Sequence, residues 1–220
     1  MALIWGCPGG TALEWGEMLS QSFFNQETEA LAYALLGTVL VHDSPNGVTA
    51  GKIVEVEMYR GVLDRAAHSF RGIPTSRTHV MFGPPGYAYI YFIYGMHYCL
   101  NVVAAADGVG EAILLRALEP LAGIELMARR RRQTHPYPPR ISEMKRLTNG
   151  PAKLAQAMGI TREQYGWPLF NPPLSLYQGQ SPVPRLSVAQ GPRINVQYAK
   201  EAAAYEWRFW LKDNTFVSRR

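Results

Sequence analysis

Short runs of β-branched, aromatic and small apolar residues recur along the chain, separated by turn residues. Residues 38–42 read as a strand, Pro45-Asn46-Gly47 as a turn and residues 48–59 as the returning strand. Residues 87–103 read as two more strands joined near Tyr94-Gly95-Met96-His97, and residues 111–118 as a further apolar one. Residues 207–218 supply one or two at the end. Helical signals are fewer. A helix over 26–36 has Asn25 as its cap, Glu27 and Glu29 in its first turn and Gly37 as its stop. A second covers 121–130, followed by a basic loop with Pro136, Pro138 and Pro139; Gly150-Pro151 opens a third, which Gly159 closes. Residues 61–78 are expected to form a long loop, and residues 168–192, rich in Pro, Gly, Ser and Gln, to be irregular. Residues 1–18 show no clear period and are expected to be an N-terminal extension to a single domain over 19–220. Short strands with scattered helices, and no repeat or linker, predict the α+β class with a mostly antiparallel sheet.

Composition narrows the class. The 220 residues are 47% apolar and 18% charged, which excludes a disordered chain, a collagen-like fibre and a coiled coil. Cys7 and Cys99 are too few for a disulfide framework or a four-cysteine zinc site. The first ten residues lack a basic region followed by a long apolar run, so no signal peptide is expected and a reducing cytosolic compartment is the default. Residues 87–106 hold no Asp, Glu, Lys or Arg and imitate a membrane span. Their five tyrosines, with Gly95 and Asn101 among them, argue for buried strands and against membrane contact.

The formal net charge is +5, from 22 Lys+Arg against 17 Asp+Glu. Its distribution says more. Arg129 to Arg132, Arg140, Lys145 and Arg146, with Glu143 the only acid among them, give that segment +6. It reads equally as a solvated basic loop or as a phosphate-facing patch.

Candidate chemistry starts on the strand Ile53-Val54-Glu55-Val56-Glu57-Met58-Tyr59. Alternation places Val54, Val56 and Met58 on one face and Glu55, Glu57 and Tyr59 on the other. Two carboxylates on one strand face require water, a cation or a cleft. Arg116 is the one charge in the apolar run 112–118, and a desolvated guanidinium needs a carboxylate partner, for which Glu57 and Glu55 are the candidates. That pairing is either a structural ion pair or an arginine that orients a catalytic carboxylate. His68, Glu55, Glu57 and Asp64 match no familiar zinc spacing, so no metal is expected. Tyr87, Tyr89 and Tyr91 share a strand face; they are either sheet core or a platform for a planar ligand. Tyr94 at a hairpin tip has little core to join and could act as a wedge between stacked bases. Asn101 in an apolar strand needs hydrogen-bond partners and could read a base edge. Lys153, on the helix turn after Gly150-Pro151, would favour an anion such as phosphate.

Several motifs occur together and in order: Glu55-Val56-Glu57-Met58-Tyr59-Arg60-Gly61, Ala66-Ala67-His68-Ser69, Met81-Phe82-Gly83-Pro84-Pro85-Gly86, Tyr89-Ile90-Tyr91-Phe92-Ile93-Tyr94-Gly95-Met96, Asn101-Val102-Val103, Leu114-Leu115-Arg116-Ala117-Leu118-Glu119-Pro120 and Gly150-Pro151-Ala152-Lys153-Leu154. With them the chain resembles the monofunctional, single-domain 3-methyladenine (alkyladenine) DNA glycosylase family from about residue 20 to 218. The resemblance implies a curved sheet with surrounding helices and a protruding β-hairpin. It implies a base-excision repair enzyme that flips alkylated or deaminated purines, of the 3-methyladenine and hypoxanthine class, out of duplex DNA and hydrolyses the N-glycosidic bond, leaving an abasic site. It makes Glu57 the base that activates water and Arg116 its positioning partner. Tyr59, His68 and Tyr91 become walls of the base pocket, and Asn101 the residue that disfavours guanine. Tyr94 becomes the intercalating residue, and Lys153 and Arg77 contacts to the DNA backbone. No cofactor and no lyase step are implied, and a monomer is the simplest expectation. Its place would be the cytoplasm, associated with the nucleoid, in a bacterium and the nucleus in a eukaryote.

The sequence departs from the family at Ser76-Arg77-Thr78, where Pro-Arg-Asn is common, and at Met58, where Ala is common; alternation makes Met58 a packing residue. Two rival readings stay open. One is a nucleoside or glycoside hydrolase using Glu55 and Glu57 as a pair, two residues and roughly 6.6 Å apart along the strand. The other is a non-catalytic binder of damaged DNA.

Overall fold

The computed structural model describes residues 15–133 and 139–218. Residues 1–14 of the expected extension, with Cys7, lie outside the described residues, as do Pro136 and Pro138 of the Pro-rich loop. The described end of the extension is docked. Trp15 packs on Tyr177, Gly16 N donates to the Gln178 carbonyl, and Gln178 N donates to that of Glu17.

The domain is α+β, built on a curled antiparallel sheet. Its strands are β1 (Val39–Ser44), β2 (Gly47–Tyr59), β3 (Ala88–Ile93), β4 (His97–Ala104), β5 (Glu111–Ala122), β6 (Phe170–Asn171), β7 (Leu174–Tyr177), β8 (Val188–Gly191) and β9 (Arg208–Leu211). The order β3-β4-β5-β2-β1-β7-β6 runs across the sheet, while β9 pairs with both β2 and β8. β2 is the hinge of this arrangement. Its first half pairs with β1 and its second half, Glu55 to Glu57, with β9, while β5 follows it along the other edge.

The helices α1 (Thr28–Leu35), α2 (Ile124–Arg130), α3 (Ile141–Thr148) and α4 (Pro151–Met158) share one core with one face of the sheet. Leu31, Met127, Leu147 and Leu154 meet Val56, Met58, Leu100 and Ile113 there. Each fully buried side chain of this kind contributes about 1.5–3 kcal/mol. With one face covered by helices, the other is left for Glu55, Glu57, Tyr89, Tyr91, Asn101 and Arg116.

The structure corrects several expectations. α1 starts at Thr28 after Glu27, which makes no side-chain cap, so Asn25 is not its cap. β5 runs on to Ala122, which shortens the expected helix over 121–130 to α2; Gly123, in the left-handed conformation, makes the break. α3 is a helix the sequence pattern missed. It holds few apolar residues, and Glu143 caps its first turn by accepting from Arg140 N at 2.7 Å. Residues 168–192 hold three short strands, β6 to β8.

The most consequential correction is at Val54. Strict alternation put it with Val56 and Met58, but it packs with Ala117, Phe216 and Val217 in a separate cluster. The register shows why. Ile53 pairs with Leu118, Glu55 with Ala117 and Val56 with Leu115, so Val54 is an extra residue in β2 and Arg116 an extra residue in β5. Such bulges bend strands and re-aim side chains. Here they turn Glu55 and Arg116 towards each other.

Candidate active site

Glu57 is fully buried and receives two hydrogen bonds and an ion pair. Its Oε1 accepts from Ile194 N at 2.7 Å and pairs with Arg116 Nη1 at 3.2 Å. Its Oε2 accepts from the Tyr59 hydroxyl at 2.9 Å. Burial, and then the Glu57 charge, push the Tyr59 hydroxyl well above its ordinary pKa, so it stays protonated and donates. Burial opposes the charge on Arg116, but the carboxylates of Glu57 and then Glu55 outweigh it and leave the guanidinium more firmly protonated than usual. The solvated outer face that two strand carboxylates could have formed is therefore not what the fold makes of them: both are 0% exposed.

Beside Tyr59 opens a narrow pocket. Tyr59, His68, Tyr91 and Asn101, all anticipated, line it together with Ala66, Met81, Tyr89, Ala112 and Tyr198. His68 lies edge-on to Tyr91, with ring centroids 4.6 Å apart, and its Nδ1 is 2.8 Å from the Tyr89 hydroxyl. Although the residue stands at the pocket mouth, its ring is packed among these aromatics. Desolvation, and then the charge of Arg77, hold its pKa down to about 4, so the imidazole is neutral at pH 7. Arg77 donates from Nη2 to His68 Nε2 at 3.3 Å, and its guanidinium stands over the Tyr91 ring at 5.4 Å. That donor fixes the tautomer: Nε2 accepts and Nδ1 carries the proton towards Tyr89. Asn101, paired across the strands with Tyr89, is buried and donates from Nδ2 to the Tyr89 carbonyl at 3.0 Å.

The free space in this pocket is about 50 Å³, room for one or two waters. A larger planar group would enter only if side chains at the mouth moved. His68 and Tyr198 are the exposed ones there, Tyr198 68% open to solvent. Sequence reading missed Tyr198, because its segment has no strand or helix period. It also missed Ile194, whose contribution is a backbone amide that no side-chain pattern announces.

Asp64, close in sequence to the two glutamates and His68, pairs with Arg193 inside the fold. Among the described residues no three of His, Cys, Asp and Glu are grouped to hold a metal ion.

Tyr94 is at the tip of the β3–β4 hairpin, 76% exposed, and both it and Gly95 have positive φ. This is the pattern of a type I′ turn. A left-handed residue with a Cβ costs roughly 1–2 kcal/mol, and here the conformation carries an aromatic ring out into solvent.

Other sequence candidates lie away from the pocket. Lys153, on the first turn of α4, donates to Asn149 Oδ1 at 3.0 Å. Within the +6 segment, Arg130 turns inward to the Ala157 carbonyl and to Ser44, and Arg131 to Gln156, while Arg129, Arg132, Arg140 and Arg146 are exposed. Thr78, in place of the commoner asparagine, is buried and its hydroxyl accepts from Thr75 N at 3.0 Å, closing a local turn. Met58 is buried in the main core.

The chain matches the methylpurine-DNA glycosylase family over residues 22–215. It is 45% identical over 201 residues to a protein of Clostridium acetobutylicum that carries the provisional name 3-methyladenine DNA glycosylase, covering 91% of this chain and 97% of that protein. Proteins with the same provisional name in Desulfitobacterium hafniense, at 42% over 91% of this chain and 98% of theirs, and Bacillus cereus, at 43% over 90% and 98%, are similar to it as well. A buried, hydrogen-bonded carboxylate beside an aromatic pocket thus stands within a family match over almost the whole domain: the chain belongs to the methylpurine-DNA glycosylases and is a DNA-repair glycosylase whose substrate is DNA.

Proposed function

We propose that this glycosylase takes damaged purines of the 3-methyladenine and hypoxanthine class out of duplex DNA and hydrolyses the N-glycosidic bond with a water activated by Glu57. A base inside a duplex is out of reach, so it must be flipped into the pocket. Tyr94 fills the gap left in the stack, and Tyr59, His68 and Tyr91 enclose the flipped base. Asn101, held against the Tyr89 carbonyl, leaves no room for the 2-amino group of guanine. Lys153 and Arg77 contact backbone phosphates. The water oxygen bonds to C1′ of the sugar and one of its protons passes to Glu57. The electron pair of the breaking C–N bond leaves with the base. A 3-methyladenine nucleotide is already cationic and departs neutral, whereas hypoxanthine gains from protonation.

The observation that carries this reading is the inequality of the two carboxylates. Glu57 adjoins the pocket through Tyr59 and has one donor on Oε2, which leaves that oxygen able to accept from a water. Glu55 receives four donors, from Arg116 Nε, Arg208 Nη1, and the Ser218 amide and hydroxyl. It is spent on structure, which disfavours a hydrolase that uses the two as an acid–base pair. Among the described residues no lysine lines the pocket, which favours hydrolysis without a Schiff-base lyase step. We further propose that the enzyme acts as a monomer, at the nucleoid in a bacterium or in the nucleus in a eukaryote.

The test is release of 3-methyladenine and hypoxanthine from duplex DNA without added metal, by wild type and by Glu57→Gln. Wild type should release base and leave an abasic site. The variant should bind the lesion duplex as tightly and release base at least 100-fold more slowly, the usual scale of general-base catalysis. Comparable rates in the two would remove Glu57 from its role. Tight lesion binding without release by wild type would make the protein a binder.

A further inference from the structure

We infer that Arg77 is a positioning residue for base recognition with two alternative partners. In the protein without DNA it caps the outer ring nitrogen of His68; on duplex DNA a backbone phosphate draws it off and frees that nitrogen for the flipped base. This rests on the proposed roles of Arg77 as a backbone contact and of His68 as a wall of the base pocket.

Both ring nitrogens of His68 are already engaged. Nδ1 lies 2.8 Å from the Tyr89 hydroxyl and Nε2 lies 3.3 Å from Arg77 Nη2. A neutral imidazole has one donor and one acceptor, so in this state His68 has neither left for a base. One partner must yield, and the two differ in freedom. Tyr89 is buried among Met81, Val103 and Ala112. Arg77 is exposed and is not one of the side chains that line the pocket. Its backbone is nevertheless fixed. The Tyr165 hydroxyl donates to the Arg77 carbonyl at 3.1 Å. Around it a turn is closed twice: Thr78 N donates to the Thr75 carbonyl and Thr75 N to the Thr78 hydroxyl, each at 3.0 Å. What is left to move is the Arg77 side chain, swinging from a fixed point.

The contact it gives up is a weak one. An N–H donated to a neutral ring nitrogen at 3.3 Å is long, and the guanidinium over the Tyr91 ring at 5.4 Å adds the modest attraction of an exposed cation–π pair. A phosphate accepts from two guanidinium nitrogens at once, and such charge-assisted pairs are roughly twice as strong as neutral hydrogen bonds. A phosphate therefore wins the competition wherever a duplex brings one within reach, and without it the cap holds. The pocket then offers the His68 acceptor only when the backbone is engaged. A free base or nucleoside, which brings no backbone phosphate, competes poorly for it.

The experiment compares wild type with Arg77→Ala, using free hypoxanthine to probe the pocket alone and an undamaged duplex to probe the backbone contact alone. The variant should bind hypoxanthine at least about threefold tighter, because the capped form no longer lowers the competent fraction. It should bind the duplex more weakly, with a salt slope shallower by about one. The opposite signs carry the test. A plain phosphate contact would leave hypoxanthine affinity unchanged, a plain pocket wall would weaken it, and either result overturns the inference. Unchanged duplex affinity and salt slope overturn it equally. The exchange of partners is also read directly, from the His68 Nε2 resonance of ¹⁵N-histidine-labelled protein. Saturating undamaged duplex should move that resonance in wild type in the direction in which Arg77→Ala moves it, and should leave the variant's resonance in place. No movement in wild type overturns the inference, even where hypoxanthine binds too weakly to titrate. A wild type that shows this exchange yet releases no base would refute the proposed reaction and leave the two partners of Arg77 standing.

Discussion

The Asp64–Arg193 pair offers a sharp test of how the site is held. Both side chains are 0% exposed. The two terminal nitrogens of Arg193 grip the two carboxylate oxygens of Asp64, and the same guanidinium donates to the Met58 carbonyl at 3.0 Å and the Ala202 carbonyl at 3.1 Å. Its flat face lies over the Tyr59 ring at 4.7 Å. Asp64 also accepts from Ala66 N at 2.9 Å and Arg60 N at 3.2 Å. The pair therefore ties the loop carrying His68 to the segment whose next residue, Ile194, donates to Glu57. Asp64→Asn keeps the shape but leaves a buried guanidinium without its counter-charge, which costs about 3–5 kcal/mol. At roughly 2–4 °C per kcal/mol for a chain of this size, the melting temperature should fall by about 6–20 °C. Removing both charges, in Asp64→Asn with Arg193→Met, should cost less than Asp64→Asn alone, because no unpaired charge stays inside. Urea unfolding of wild type, Asp64→Asn and the double variant measures this. A loss below about 1 kcal/mol for Asp64→Asn, or a double variant no better than the single one, would refute the reasoning. Release of base by the folded fraction should also slow, since the Ile194 amide loses its anchor.

Three further outcomes are expected. Tyr94→Ala should leave thermal stability unchanged, since the lost ring is exposed and alanine keeps the Cβ in the same left-handed turn, and weaken lesion-duplex affinity about tenfold in a fluorescence anisotropy titration; unchanged affinity counts against the wedge. Asn101→Ser should raise release of normal guanine from undamaged duplex, and a flat background would end the argument that this amide excludes the 2-amino group. Arg77→Ala removes the second cause of the depressed His68 pKa and leaves desolvation, the larger one. The imidazole midpoint followed by NMR should therefore rise above about 4 but stay below the ordinary 6.5, so that wild-type His68 stays neutral to lower pH than the variant; a midpoint that does not move would place the arginine elsewhere in solution.

What could be read from the chain was whatever depends on one strand at a time. Glu57 and Tyr59 sit two apart, and alternation alone puts them on one face, where the structure finds their hydrogen bond. The need of Arg116 for a carboxylate follows from the apolar run around it, and it has two. The hairpin tip at Tyr94 was legible from the Gly95 beside it. What could not be read depends on two strands at once. A bulge is a mismatch of count between partners, and neither β2 nor β5 shows it alone. Val54 was misplaced for that reason. α3 was missed because three of its eight residues are charged and only part of one face is buried. Ile194 and Ser218 act through their amides, which every residue carries.

The two bulges explain why a pair of carboxylates can persist on a buried strand face at all. With regular alternation, Glu55 and Glu57 would project side by side towards the same region and repel, and one would have to be neutral. The extra residues Val54 and Arg116 break the regular register around Glu55 and bring a cation between the two carboxylates. The carboxylate nearer the pocket keeps an oxygen with a single donor, and the one behind it is fully engaged by arginines and by the chain after β9. Residues of one chemical type, two apart in sequence, thus acquire different capacities from register alone. That difference, more than the presence of either glutamate, is what makes the face suited to activating a single water.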